Sequence, residues 1–254
     1  MHSFVSSQPI PVARQDHRFI QITLLALVAI GTWDAWGWDI PLAALFTDNE
    51  GFFWNHHWFL NVVMHSGAKW VNSFLWAALL MMLTLHEGVG VLGRLSSFRR
   101  VALVVTIVAA ALAVASVKRF SSTSCPWDLV QFGGTVPYVG HWAEAIDGGP
   151  GHCFPAGHAS VGFSWLAMYF ALRDIAPRTA RRTLVGALVA GLVLGLAQQM
   201  RGAHFMSHTL WTAWICWTVC GALQFLVDRI EPRFTRWRAA ASNELVARKP
   251  PQSP

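Results

Sequence analysis

Gln198-Gln199-Met200-Arg201-Gly202-Ala203-His204-Phe205-Met206-Ser207-His208-Thr209-Leu210-Trp211 interrupts an apolar region that otherwise runs from about residue 183 to 227. It reads as the junction between two membrane-crossing helices, with Arg201, His204 and His208 at the boundary. On a helix, Gln198, Arg201, His204 and His208 step by three and four and share one face. A guanidinium beside two imidazoles at a bilayer edge is suited to an anion.

Composition supports the membrane reading. The 254 residues are 54% hydrophobic and 13% charged, with 14 Trp and a mean hydropathy of +0.40. Such a chain is too apolar for a soluble domain. The net charge of +6 does not point to nucleic acid, because no basic stretch is interleaved with aromatics on a polar surface. The positive-inside rule accounts for it better.

Working outward, the sequence predicts an all-α polytopic membrane protein forming one membrane domain. Its six spans lie near 19–36, 70–93, 101–117, 157–173, 183–200 and 206–227, each long enough to cross about 30 Å of hydrocarbon. The first runs into Trp33, Trp36 and Trp38 without a small-x-small cleavage site and reads as an uncleaved anchor. His56, His57 and His65, with Phe52, Phe53, Trp54 and Trp58, predict an interfacial helical segment. Residues 237–254, ending in a Pro-rich stretch, are expected to be a disordered tail. No internal repeat is visible.

Lys and Arg set the orientation. Fifteen of the 19 fall in 1–18, 94–100, 173–182 and 229–249; the other four are Lys69, Lys118, Arg119 and Arg201. Both termini are therefore expected in the cytoplasm, with the connections 37–69 and 118–156 outside. Lys118 closes the third span, His158 opens the fourth, Arg201 closes the fifth and His204 opens the sixth. Because the spans alternate in direction, all four emerge at one face. Two cations for a multiply charged oxyanion and two imidazoles suit phosphoryl transfer, one His attacking phosphorus and the other protonating the leaving group. Snorkelling interfacial anchors are the plainer reading of Lys118, Arg119 and Arg201.

At these residues the sequence resembles the type 2 phosphatidic acid phosphatase superfamily. The Lys-x6-Arg-Pro motif appears as Lys118, six residues, then Cys125-Pro126. Pro-Ser-Gly-His appears as Pro155-Ala156-Gly157-His158. Ser-Arg-x5-His-x3-Asp appears as Ala197-Gln198, then His204 and His208. The resemblance covers about Lys118–Trp211. It implies a phosphohistidine on His204, His158 as general acid, and phosphate held by Lys118 and the backbone at Gly157, with no metal and no cofactor. Cys125 and Gln198 replace the two family arginines; Arg201, or Arg119, could supply a guanidinium instead. His208 replaces the carboxylate that orients the nucleophile, leaving His208 or Asp128 as orienting candidates.

Cys125 sits in the first motif and Cys153 lies two residues before the second, both in one outer loop, so a disulfide there is expected in an oxidising compartment. Cys216 and Cys220 read as packing residues at lipid depth. His86 and Glu87 invite either a functional or a structural reading. The expected activity is hydrolysis of a lipid phosphomonoester or pyrophosphate, on a phospholipid, isoprenoid or lipid A, at the periplasmic face of a bacterial inner membrane. A lipid phosphotransferase would use the same residues. A non-catalytic lipid-binding protein and a bis-His haem protein are the rivals from other classes.

Overall fold

The computed structural model describes residues 12–84 and 90–247 and is mostly helical. The α-helices are α1 (Val12–Ala35), α2 (Asp39–Ala44), α3 (Ala68–Thr84), α4 (Ser97–Phe120), α5 (Gly157–Phe163), α6 (Leu166–Leu172), α7 (Pro177–Met200) and α8 (Met206–Ala247). A two-residue hairpin pairs β1 (Thr47–Asp48) with β2 (Gly51–Phe52), and a π-helical segment (Phe59–Gly67) leads into α3. Among the described residues, four stretches are long and apolar enough to cross a membrane: His17–Ala35, Ser97–Phe120, Pro177–Met200 and Met206–Trp237.

The surface is apolar where a soluble protein's would be polar. Leu25 is 70% exposed, Trp70 77% and Phe74 73%, as expected of helix faces whose solvent is lipid. The core lies between α4, α5, α6, α7 and α8, with Ile107, Phe163, Leu166, Leu172 and Cys216 wholly buried. Small residues bring the helices close. A side chain at Gly162 would collide with the backbone of Gly191, so α5 and α7 touch main chain to main chain.

The structure departs from the predicted spans in several places. The expected 70–93 helix is described as far as Thr84, and its last stretch, Gly90–Arg94, forms a 3₁₀ turn; in the other direction, the π-helical segment carries the helix back to Phe59. The expected 157–173 helix is two pieces, α5 and α6, separated at Ser164–Trp165. The expected interfacial helical segment is helical only in its second part: 53–56 are turns after the hairpin, and helix begins at Trp58 and continues as the π-helical segment. In those turns Asn55 N–H donates to Phe52 O, and His57 N–H to Trp54 O. Gly51, at φ +112°, reverses the chain and precludes helix.

At the other terminus α8 continues to Ala247, well into the stretch expected to be disordered. Its Arg, Ala, Glu and Leu are strong helix formers, which explains the extension. The Pro-rich end from 248, His86 and Glu87, and the side chains of His65 and Lys69, lie outside the described residues.

Candidate active site

His204 lies on a short linker pinned at both ends. α7 ends in a Schellman turn: Ala203 N–H donates to Gln198 O and Gly202 N–H to Gln199 O, both at 2.9 Å. Gly202 takes φ +76°, and a side chain there would overlap the Phe52 ring, so only glycine fits. Trp127 N–H donates to Gly202 O at 3.0 Å, fastening the 121–156 loop to this turn.

The far end is held by Asp39 of α2. Its buried carboxylate accepts from Ser207 N–H at 3.0 Å, from Trp33 Nε1 at 2.8 Å, and from Ser207 Oγ. A carboxylate at the first amides of α8 completes that helix start electrostatically. Burial lifts the Asp39 pKa above the usual carboxylate value despite these donors.

The loop 121–156 is built to bring its backbone to His204. His152 N–H donates to Ser121 O and Cys153 N–H to Thr123 O. Buried Asp147 clamps the two strips together by accepting from Ser124 N at 2.7 Å, Ser124 Oγ at 2.9 Å and Gly149 N at 2.9 Å. Cys125 and Cys153 form a disulfide with their Cα atoms 5.1 Å apart. The Phe154–Pro155 peptide is cis. α5 then starts beside α8, since Ala156 N–H donates to His208 O and Thr212 Oγ1 donates to Ala156 O.

These restraints gather most of the sequence-predicted residues. The His158 and His204 rings are 6.4 Å apart, centre to centre. Lys118 Nζ donates to His152 O at 2.5 Å, and His152 takes a left-handed φ of 57° as the chain turns there. Gly157 opens α5 directly over the Lys118 side chain, whose Cδ would be 3.5 Å from a Cβ at Gly157.

The nucleophile candidate is oriented by main chain. His204, 4% exposed, has its Nδ1 2.7 Å from Cys153 O. A carbonyl only accepts, so Nδ1 carries the proton and Nε2 keeps its lone pair. Burial, then Lys118, then His158 hold the His204 pKa well below the ordinary imidazole value. The imidazole is therefore neutral at physiological pH.

Arg201 is buried on the same linker. Its Nη1 donates to Gln198 Oε1 at 3.1 Å and its Nε to Asn55 O at 3.4 Å. Gln198, at the position of a family arginine, thus steadies the guanidinium one turn away. The remaining candidates sit elsewhere. Arg119 is exposed at the end of α4. Asp128 caps a 3₁₀ turn, its carboxylate accepting from Cys125 N–H at 3.1 Å. His208 is fully buried among His141, Phe154, Phe205 and His204, and among the described residues neither ring nitrogen has a partner within hydrogen-bond geometry.

Two participants escaped sequence reading. The Cys153 carbonyl has no side-chain signature at all. Asp39 had one, an acid among interfacial tryptophans, but its partner Ser207 is far along the chain. Among the described residues, no group of three or more His, Cys, Asp or Glu is placed to hold a metal ion.

Residues 100–230 match the PAP2 superfamily, just over half of the chain. Among solved structures, the chain is similar to a PAP2-type phosphatidylglycerolphosphate phosphatase from Bacillus subtilis, at 16% identity and a TM-score of 0.49. That similarity covers 85% of this chain and 95% of the other. No curated protein matches the sequence.

Proposed function

The chain belongs to the PAP2 superfamily, and on that premise we propose that it is a membrane lipid phosphatase working through a phosphohistidine. The observation that carries this reading is the His204 Nδ1–Cys153 O contact, which leaves Nε2 as a free nucleophile beside His158 and Lys118. His204 Nε2 attacks phosphorus while the bond to the leaving oxygen breaks, and His158 donates a proton to that oxygen. Water, giving its proton to His158, then attacks phosphorus and releases phosphate, restoring both histidines. Lys118 and Arg201 hold the equatorial oxygens.

The topology follows from the helix ends. Lys118 lies in the last turn of α4 and His204 on the linker just before α8, at one end of the bundle; Arg99, Arg173 and Arg178 lie at the other. The π-helical segment with α3, and α5 with α6, complete six crossings. Positive-inside then puts the site on the periplasmic face of a bacterial inner membrane, where the Cys125–Cys153 bridge is stable. The substrate is a lipid phosphomonoester or pyrophosphate, of a phospholipid, an isoprenoid or lipid A. Phosphate release from a panel of these lipids tests the reading, together with an acid-labile phosphoprotein trapped by rapid quench. Both signals are expected from wild type and neither from His204→Ala; equal turnover by the variant would remove His204 from the reaction.

A further inference from the structure

The end of the bundle away from His204 holds a second basic cavity. Arg181 lies near the start of α7 and Arg201 just past its end, roughly 30 Å apart along the helix rise. Beside Arg181, a cavity of about 410 Å³ opens between α1, α6, α7 and α8. Its lining combines Arg18, Arg173 and Arg181 with Phe19, Tyr169 and Trp217. The arginines at its edges, Arg18 and Arg181, are exposed, while the aromatics are partly buried.

The aromatic wall is fixed in place. Trp217 stacks on Tyr169 at 6.1 Å, lies 5.9 Å from Phe19, and donates from Nε1 to Thr23 Oγ1 at 3.0 Å. The charges are unequal in how they are answered. Arg173 has Asp228 at 3.6 Å and Asp174 at 3.7 Å. Among the described residues, no carboxylate forms an ion pair with Arg18 or Arg181.

We propose that this cavity binds the headgroup of an anionic phospholipid from the leaflet opposite the catalytic site. The phosphodiester lies between Arg18 and Arg181 with Arg173 behind it, and the glycerol and upper acyl chains rest on Phe19 and Trp217. Charge complementarity selects the anion: two exposed guanidiniums line one cavity, and among the described residues the nearby Asp174 and Asp228 pair with Arg173 and not with them. The aromatic wall selects a lipid over free phosphate, because inorganic phosphate leaves that apolar surface unused. A zwitterionic headgroup would bring its own cation towards the arginines.

Native mass spectrometry of the delipidated full chain, titrated with phosphatidylglycerol, phosphatidylcholine of the same acyl chains, or inorganic phosphate, tests this. Wild type is expected to retain phosphatidylglycerol at least about tenfold more strongly than phosphatidylcholine. Arg18→Gln/Arg181→Gln is expected to lose that preference while hydrolysing lipid phosphate as wild type does. Equal retention of the two lipids, displacement by inorganic phosphate, or undiminished preference in the double variant would each overturn the proposal. Lys118→Gln, which alters the opposite face, is expected to keep the preference; its loss there would move the lipid to the catalytic site and equally refute the cavity.

Discussion

Two cation clusters at opposite ends of the bundle, Arg99 at one and Lys118 with Arg201 at the other, are held in opposite ways. At the end where α4 begins, Arg99 bonds Asp228 at 2.8 Å and Glu231 at 2.5 Å, and Ser96 Oγ donates to the same glutamate. At the end where α4 finishes, Lys118 is held by a backbone carbonyl, and Arg201 by a glutamine oxygen and another carbonyl. Neutral partners fix a cation's position without cancelling its charge. The first cluster is thereby a clasp between α4 and α8, and the second, on the proposed reading, a preformed receptor for an anion. Histidine orientation follows the same logic, since the Cys153 carbonyl aligns His204 without bringing a carboxylate near incoming phosphate.

The comparison is broken most sharply by His204→Ala. Phosphate release is expected to fall by at least about three orders of magnitude, with circular dichroism and elution volume unchanged. Lys118→Gln and Arg201→Gln are expected to lower kcat/KM by roughly 10²–10³ each, while Arg99→Gln leaves it within about twofold. Comparable losses from all three would mean that the two ends do not differ in kind.

Opening the bridge with Cys125→Ser tests the carbonyl. The closed loop it removes spans 28 residues in sequence separation, so stability is expected to fall by about 3–4 kcal/mol in a chain-entropy estimate. Turnover is expected to drop about tenfold as the Cys153 carbonyl loses its register. Unchanged turnover at a temperature where the variant is folded would assign orientation elsewhere.

The pH profile sharpens the distinction further. In the proposed reaction His204 must be neutral to attack, and its pKa is depressed. Activity should therefore persist as pH falls through the ordinary imidazole range, and be lost only below it as His204 protonates. An acid limb of kcat/KM centred near 6.5 and abolished by no other substitution would contradict this environment. Least in size, Arg99→Ala is expected to cost about 1 kcal/mol, because the clasp is part-exposed and screened; thermal unfolding in detergent measures it.

Much of this arrangement was legible in the residues. The apolar runs and the Lys and Arg at their ends predicted that Lys118, His158, Arg201 and His204 share one face, and the structure sets His158 and Lys118 near His204. Gly157-His158 and the Cys125–Cys153 pair could be marked for the same reason: their chemistry is local and their spacing regular. The break between α5 and α6 was not, since hydropathy is blind to a turn inside an apolar run. The hairpin at 47–52 was likewise hidden under an aromatic pattern that fits a helix equally well.

By itself, then, the sequence determined that this is a membrane protein with a cationic, histidine-bearing cluster at one set of helix ends, because burial in lipid and charge at interfaces are written in composition and period. Only the tertiary structure decided what orients each member of that cluster. The Cys153 carbonyl, the Asp39 carboxylate at the start of α8 and the Gln198 brace on Arg201 act through main-chain atoms or at distances no spacing rule encodes. Backbone groups are the same at every residue, so their direction becomes information only once the chain has folded.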